Sequence, residues 1–75
     1  MHRTQTDDIE FRGCRLRVRY ALIYGHDEGW KLGKVESVRR LHKDVVGCEM
    51  IDSISTSVLK GIEEYVAETI NRDCN

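Results

Sequence analysis

Between Cys14 and Tyr24 the chain alternates without a break. Cys14, Leu16, Val18, Tyr20, Leu22 and Tyr24 fall on one face, and Arg15, Arg17, Arg19, Ala21 and Ile23 on the other. A period of two is that of a β-strand, whose successive side chains point to opposite faces of a sheet. A strand this long needs an antiparallel neighbour for its backbone groups. The segment Gly25–Gly29 (GHDEG) has glycine at both ends and polar residues between, which reads as a hairpin loop leading to that neighbour.

The neighbour, Trp30 to His42, is ambiguous by periodicity. Trp30 and Leu32 alternate, Gly33 interrupts, and Val35, Val38 and Leu41 then come three apart, a spacing that suits an amphipathic helix as well as a bulged strand. The hairpin argument favours the strand. A turn at His42–Asp44 and a third strand over Val45–Ile51 complete an antiparallel meander. Upstream, residues 1–8 (MHRTQTDD) show no apolar periodicity and read as a flexible lead-in, so the single domain is expected to span 9–75. Ile9–Arg12 reads as a leading part of the first strand, with Gly13 as a bulge or bend.

Ser53–Asn71 predicts the one helix. At 100° per residue, Ile54, Tyr65, Val58, Thr69, Ile62, Val66, Leu59 and Ile70 sweep a broad apolar arc, with Lys60, Glu63, Glu64 and Glu68 opposite. Asp52, Ser53 and Ser55 are candidate N-caps. Gly61 lies inside the arc at a cost of about 1 kcal/mol relative to alanine, tolerable where another group must approach the backbone closely. The expected fold is therefore α+β, a three-stranded antiparallel meander with one C-terminal helix packed on one face (βββα, two layers).

A chain of 75 residues has room for one core. Such a core typically supplies about 3–5 kcal/mol, and hollowing it for a buried catalytic pocket removes the contacts that hold the fold. An enzyme is therefore not expected. Association with a second copy would bury apolar surface that a monomer leaves wet.

Charge is divided along the chain. Residues 1–43 carry ten basic side chains and six acidic ones, and residues 44–75 carry two basic and seven acidic, so the net charge of -1 conceals a basic and an acidic half. No run approaches the ~20 apolar residues of a membrane span. The polar opening, with Asp7, Asp8 and Glu10, lacks the pattern of a secretory signal, and Cys14, Cys48 and Cys74 are too few and too scattered for a disulfide framework. Reduced thiols and a cytoplasmic location are the expectation.

Two surfaces emerge as candidate binding sites. Arg15, Arg17 and Arg19, with Arg12 and with Arg39, Arg40 or Lys34 on a neighbouring strand, would line the sheet face away from the helix, and Ala21 and Ile23 would supply its apolar part. Such a row suits phosphates, an acidic protein surface, or solvent alone. A small sheet with one helix resembles in architecture the DNA-binding domains of integrase arms and of plant ethylene-response factors. That likeness implies a sheet face laid in a DNA groove, although neither family's motifs occur in this chain. The pI near 6.3 opposes strong non-specific DNA binding. The second surface is the helix flank Leu59, Val66 and Ile70, which would face a partner helix if the sheet is too small to cover it. The acidic ridge Glu63, Glu64, Glu68 and Asp73 is a further docking candidate for a basic partner.

Other patterns carry less. His26, Asp27 and Glu28 are adjacent on a turn, where side chains rarely converge on one point. The cysteines and histidines show no zinc-ligand spacing, Ser53, Ser55, Thr56 and Ser57 lack a nucleophile elbow, and the glycines form no phosphate loop. No catalytic, metal or cofactor residues are assigned. Trp30 is expected to pack in the core. The expectation is a non-catalytic binding or regulatory module acting through protein contact, as a homodimer; the alternative is a nucleic-acid-binding module using the arginine face.

Overall fold

The computed structural model describes residues 2–27 and 29–73. The elements are β1 (His2–Phe11), β2 (Cys14–Gly25), β3 (Gly29–His42), β4 (Val45–Glu49) and α1 (Thr56–Asp73). The four strands form one antiparallel sheet in the order β1-β2-β3-β4. The α+β class, the three expected strands and the C-terminal helix are all present. The sheet has one strand more than expected.

The extra strand is β1, and it corrects the reading of residues 1–8 as a lead-in for the described positions 2–8. Phe11 pairs with Cys14 and His2 with Ile23, so the chain reverses at Arg12 and Gly13 and does not merely bend. Both turn residues have positive φ, 51° and 78°, the geometry of a two-residue hairpin turn, and glycine takes the second position without strain. Periodicity could not reveal this strand because its helix-side residues Arg3, Gln5 and Asp7 are polar.

The ambiguity of 30–42 has a structural cause. Along β3 two residues are extra to the ladder: Arg19 pairs with Ser37 but Tyr20 with Val35, and Ala21 pairs with Lys34 but Leu22 with Leu32. Bulges at Glu36 and Gly33 therefore bring Leu32, Val35 and Val38, three apart in sequence, onto the same face opposite Leu22, Tyr20 and Val18. The three-apart spacing of Leu32, Val35 and Val38 thus results from a twice-bulged strand, whereas Leu41, beyond the bulges, lies on the outer face with Arg15 and Arg17. The turn to β4 is Lys43–Asp44, both at positive φ.

The core lies between this face and the helix. Leu16, Val18, Tyr20 and Leu22 of β2, Val35 and Val38 of β3, and Ile62, Val66 and Ile70 of α1 are buried. Ile9, Phe11, Cys14, Trp30, Leu32, Met50, Ile54, Val58 and Leu59 pack around them half-buried. The helix begins later than expected. Of the candidate caps, Ser55 is the one used, its Oγ accepting from the Val58 N–H at 3.3 Å. Gly61 is where close approach was expected: a Cβ built there would stand 2.8 Å from Cζ of Phe11. No helix among the described residues is long and apolar enough to cross a membrane.

Burial corrects the second candidate surface. Val66 and Ile70, expected on a partner-facing flank, are 2% and 7% exposed in the core, and Leu59 packs half-buried against it. Ile62, Val66 and Ile70 make an i, i+4, i+8 row that the sheet does cover. Val66 and Ile70 therefore offer a partner helix no exposed apolar surface.

Candidate functional site

The outer face of the sheet is built by strand alternation. On β2 it carries Arg15, Arg17, Arg19, Ala21 and Ile23, and residues directly opposite in an antiparallel ladder share a face. Glu10, Asp8, Thr6 and Thr4 of β1 therefore lie beside Arg15, Arg17, Arg19 and Ala21. On the other side Arg39 faces Arg17 and Lys34 faces Ala21. Ile23 is half-buried because it lies against Gly33, where a Cβ would come within 2.7 Å of its Cδ1. Two expected members leave the row. Arg12 belongs to the hairpin turn, its guanidinium 5.1 Å from the centroid of the Phe11 ring, and Arg40 shares the face of Leu16.

The arginines are interleaved with carboxylates. Arg17 donates to Asp8 through Nε at 2.9 Å and Nη2 at 3.3 Å, and these bonds hold the Asp8 carboxyl below the ordinary aspartate range and raise Arg17 above its own. Arg19 stands 3.9 Å from Glu36, and Arg39 3.8 Å from Glu49. Exposed pairs of this kind add little stability. Their consequence is electrostatic: much of the positive charge that phosphates would use is met within the face. Beside it lies a shallow hollow of about 120 Å³ lined by Asp8, Arg15, Arg17, Leu41, Lys43 and Asp44.

Glu49 organises the end of β4. Its carboxylate accepts from Ser37 Oγ, from the Val38 N–H at 2.7 Å, and from the Met50 and Ile51 N–H groups at 3.1 and 3.2 Å. The Ser37 bond is the main cause of a carboxyl held below the ordinary glutamate range, partial burial opposes it, and the backbone donors add to it. This one side chain ties β3 to the connection that leads into the helix.

A different opening lies between helix and sheet on the opposite side. Phe11, Arg12, Cys14, Leu16, Val38, Met50, Ile54, Val58 and Ile62 line a cleft of about 210 Å³. Its walls are almost wholly apolar. Of the remaining candidates, His26 and Asp27 are exposed in the hairpin turn, while Glu28, the side chain of Asp73 and Cys74 lie outside the described residues. Glu64 and Glu68 are exposed, Glu68 pairing with Arg72 at 3.3 Å. Trp30 packs half-buried, its ring 5.3 Å from that of exposed Tyr24. Among the described residues no three His, Cys, Asp or Glu side chains stand together as a metal site.

The feature that sequence reasoning missed is the free edge of β1. This strand is ten residues long, has no bulge in its pairing with β2, and lies at the border of the sheet. The two-residue turn closes on a pair, Phe11 and Cys14, that exchanges both backbone bonds, and such pairs alternate along an antiparallel ladder. Odd-numbered residues of β1 thus bond to β2. His2, Thr4, Thr6, Asp8 and Glu10 direct their N–H and C=O groups outward. The dipeptide Arg12–Gly13, with its left-handed preference at glycine, was the one available signal.

No protein-family model, no curated protein and no solved structure matches this chain.

Proposed function

We propose that this chain is a small non-catalytic binding or regulatory module that acts through protein–protein contact and associates as a homodimer. The observation that carries the reading is the open edge of β1, a long and unbulged row of backbone donors and acceptors. An exposed edge of this length is a template for another strand, and proteins that remain monomeric shorten, bulge or cover it. The pairing of Arg17, Arg19 and Arg39 with carboxylates favours protein contact over nucleic acid, because counterion release requires cations free to meet phosphates. Cys14, Cys48 and Cys74 are odd in number and widely spaced, which fits reduced thiols and a cytoplasmic location.

Sedimentation equilibrium at high micromolar concentration tests the reading. The expected mass is that of two chains, and a single-chain mass throughout overturns it. A gel shift at low and moderate salt tests the other arm. Should the wild type bind DNA or RNA, and the Arg15→Gln, Arg17→Gln, Arg19→Gln triple variant lose that binding with its fold intact, the nucleic-acid reading takes precedence.

A further inference from the structure

The free edge of β1 is charged in opposite senses at its two ends. His2 and Arg3 stand at the start, and Asp7, Asp8 and Glu10 follow toward the turn. On the helix side of the strand, Arg3 and Asp7 have no ion-pair partner among the described residues, and Asp7 accepts hydrogen bonds from Tyr20 and, at 3.5 Å, from Gln5. Four residues of extended chain separate them by roughly 13 Å, so they do not neutralise each other within one strand. Charges on a border strand repel most incoming strands. They also select one that carries the complementary sequence in the opposite direction, which is this strand itself.

We infer that two copies join edge to edge by antiparallel pairing of β1 about Gln5, placing Arg3 of each copy opposite Asp7 of the other. This rests on the homodimer reading and specifies its contact. A twofold axis normal to the sheet keeps both helices on one side and pairs odd positions with odd and even with even. Pairing about Asp7 would set two aspartates face to face, which is destabilising. Pairing about Thr6 would set Arg3 against Ile9 and Asp7 against Gln5, matching neither charge. About Gln5, Arg3 meets Asp7 on the helix side, His2 meets Asp8 on the outer side, and Thr4 meets Thr6. Thr4 and Thr6 are among the residues whose backbone groups point outward, so across the axis they exchange both N–H···O=C bonds. The two sheets then run as one, with the paired edges removed.

Cysteine cross-linking tests the register. Gln5 bonds to its own β2, so the two Gln5 residues meet as a non-hydrogen-bonded pair with Cα atoms about 4.5 Å apart, within the range a disulfide spans. Under mild oxidation Gln5→Cys should form a covalent dimer linked through position 5, identified by mass spectrometry of the linked peptide, whereas Thr4→Cys and Thr6→Cys should not link to themselves. A link through Thr6→Cys in place of Gln5→Cys, in a protein that sediments as a dimer, overturns the register and leaves the homodimer reading standing. A single-chain mass at every concentration overturns both. Charge reversal provides an independent check. Arg3→Asp should raise the dimer dissociation constant at least about tenfold, as should Asp7→Arg, and mixing the two variants should restore association, since each supplies what the other lacks. If Asp7→Arg fails to fold on losing the acceptor of Tyr20, the cross-linking result decides alone.

Discussion

Replacing Gly61 by alanine sets two effects of similar size against each other. In an exposed helix interior the change adds about 1 kcal/mol of stability, because glycine loses more backbone freedom on folding. Here the new methyl would meet the Phe11 ring, 2.8 Å from Cζ and 3.4 Å from Cε1. Carbon atoms rest about 3.5–4.0 Å apart, so the ring must withdraw by roughly 0.7 Å or more. Phe11 also holds an edge-on contact with Tyr65, centroids 6.4 Å apart, which the movement disturbs. Overpacking of this kind costs about 1–3 kcal/mol. Gly61→Ala should therefore leave the wild type unchanged or destabilise it by up to about 2 kcal/mol. In a Phe11→Leu background the ring tip is gone, and the same substitution should stabilise by about 1 kcal/mol. Urea denaturation of the four proteins of this cycle, followed by helix circular dichroism, measures the coupling. Equal stabilisation in both backgrounds would refute the claim that the helix approaches the sheet through this glycine.

Ile62, fully buried in the centre of the α1 row, should cost about 2–5 kcal/mol on truncation to alanine, and Leu22→Ala nearly as much, enough to abolish cooperative unfolding in a domain of this size; melting curves like that of the wild type would mean the core is elsewhere. Ile70→Glu should unfold the chain instead of merely separating a dimer, since Ile70 is buried under the sheet, and circular dichroism distinguishes the two. Glu49 predicts a pH effect of definite sign. Its folded pKa lies below the unfolded one, so its contribution is present above the free-glutamate value of about 4.3 and is lost as the pH falls through the lower folded value. Glu49→Gln should lower stability at neutral pH by about 1–2 kcal/mol and flatten the acid limb of the stability curve, and a variant whose acid limb matches the wild type would show that Glu49 does not hold the β3–β4–helix junction.

Legibility in the sequence followed burial. β2 and α1 declare their periods because each has one apolar and one polar face, and Val18, Leu22 and Ile62 are buried as that patterning implies. β3 concealed its period because two bulges advance the ladder by an extra residue each. β1 was silent because Arg3, Gln5 and Asp7 occupy positions where a covered strand would place apolar residues. The arginine row was legible as a face but not as a set of ion pairs, since Asp8, Glu36 and Glu49 reach it from three other strand segments through long-range register. Val66 and Ile70 were misplaced because angular position on a helix wheel does not say how far a twisted sheet extends beneath it.

Amide hydrogen exchange along β1 tests the central claim most directly, because the free edge and the bonded edge alternate residue by residue. In an isolated chain Gln5, Asp7 and Ile9 are protected by β2, while Thr4, Thr6 and Asp8 exchange freely. If the strand pairs with its counterpart in a second copy, Thr4, Thr6 and Asp8 become protected as well, and their protection rises with protein concentration while that of Gln5 and Asp7 is already present when dilute. Unprotected exchange at Thr4, Thr6 and Asp8 up to high micromolar concentration would contradict the account.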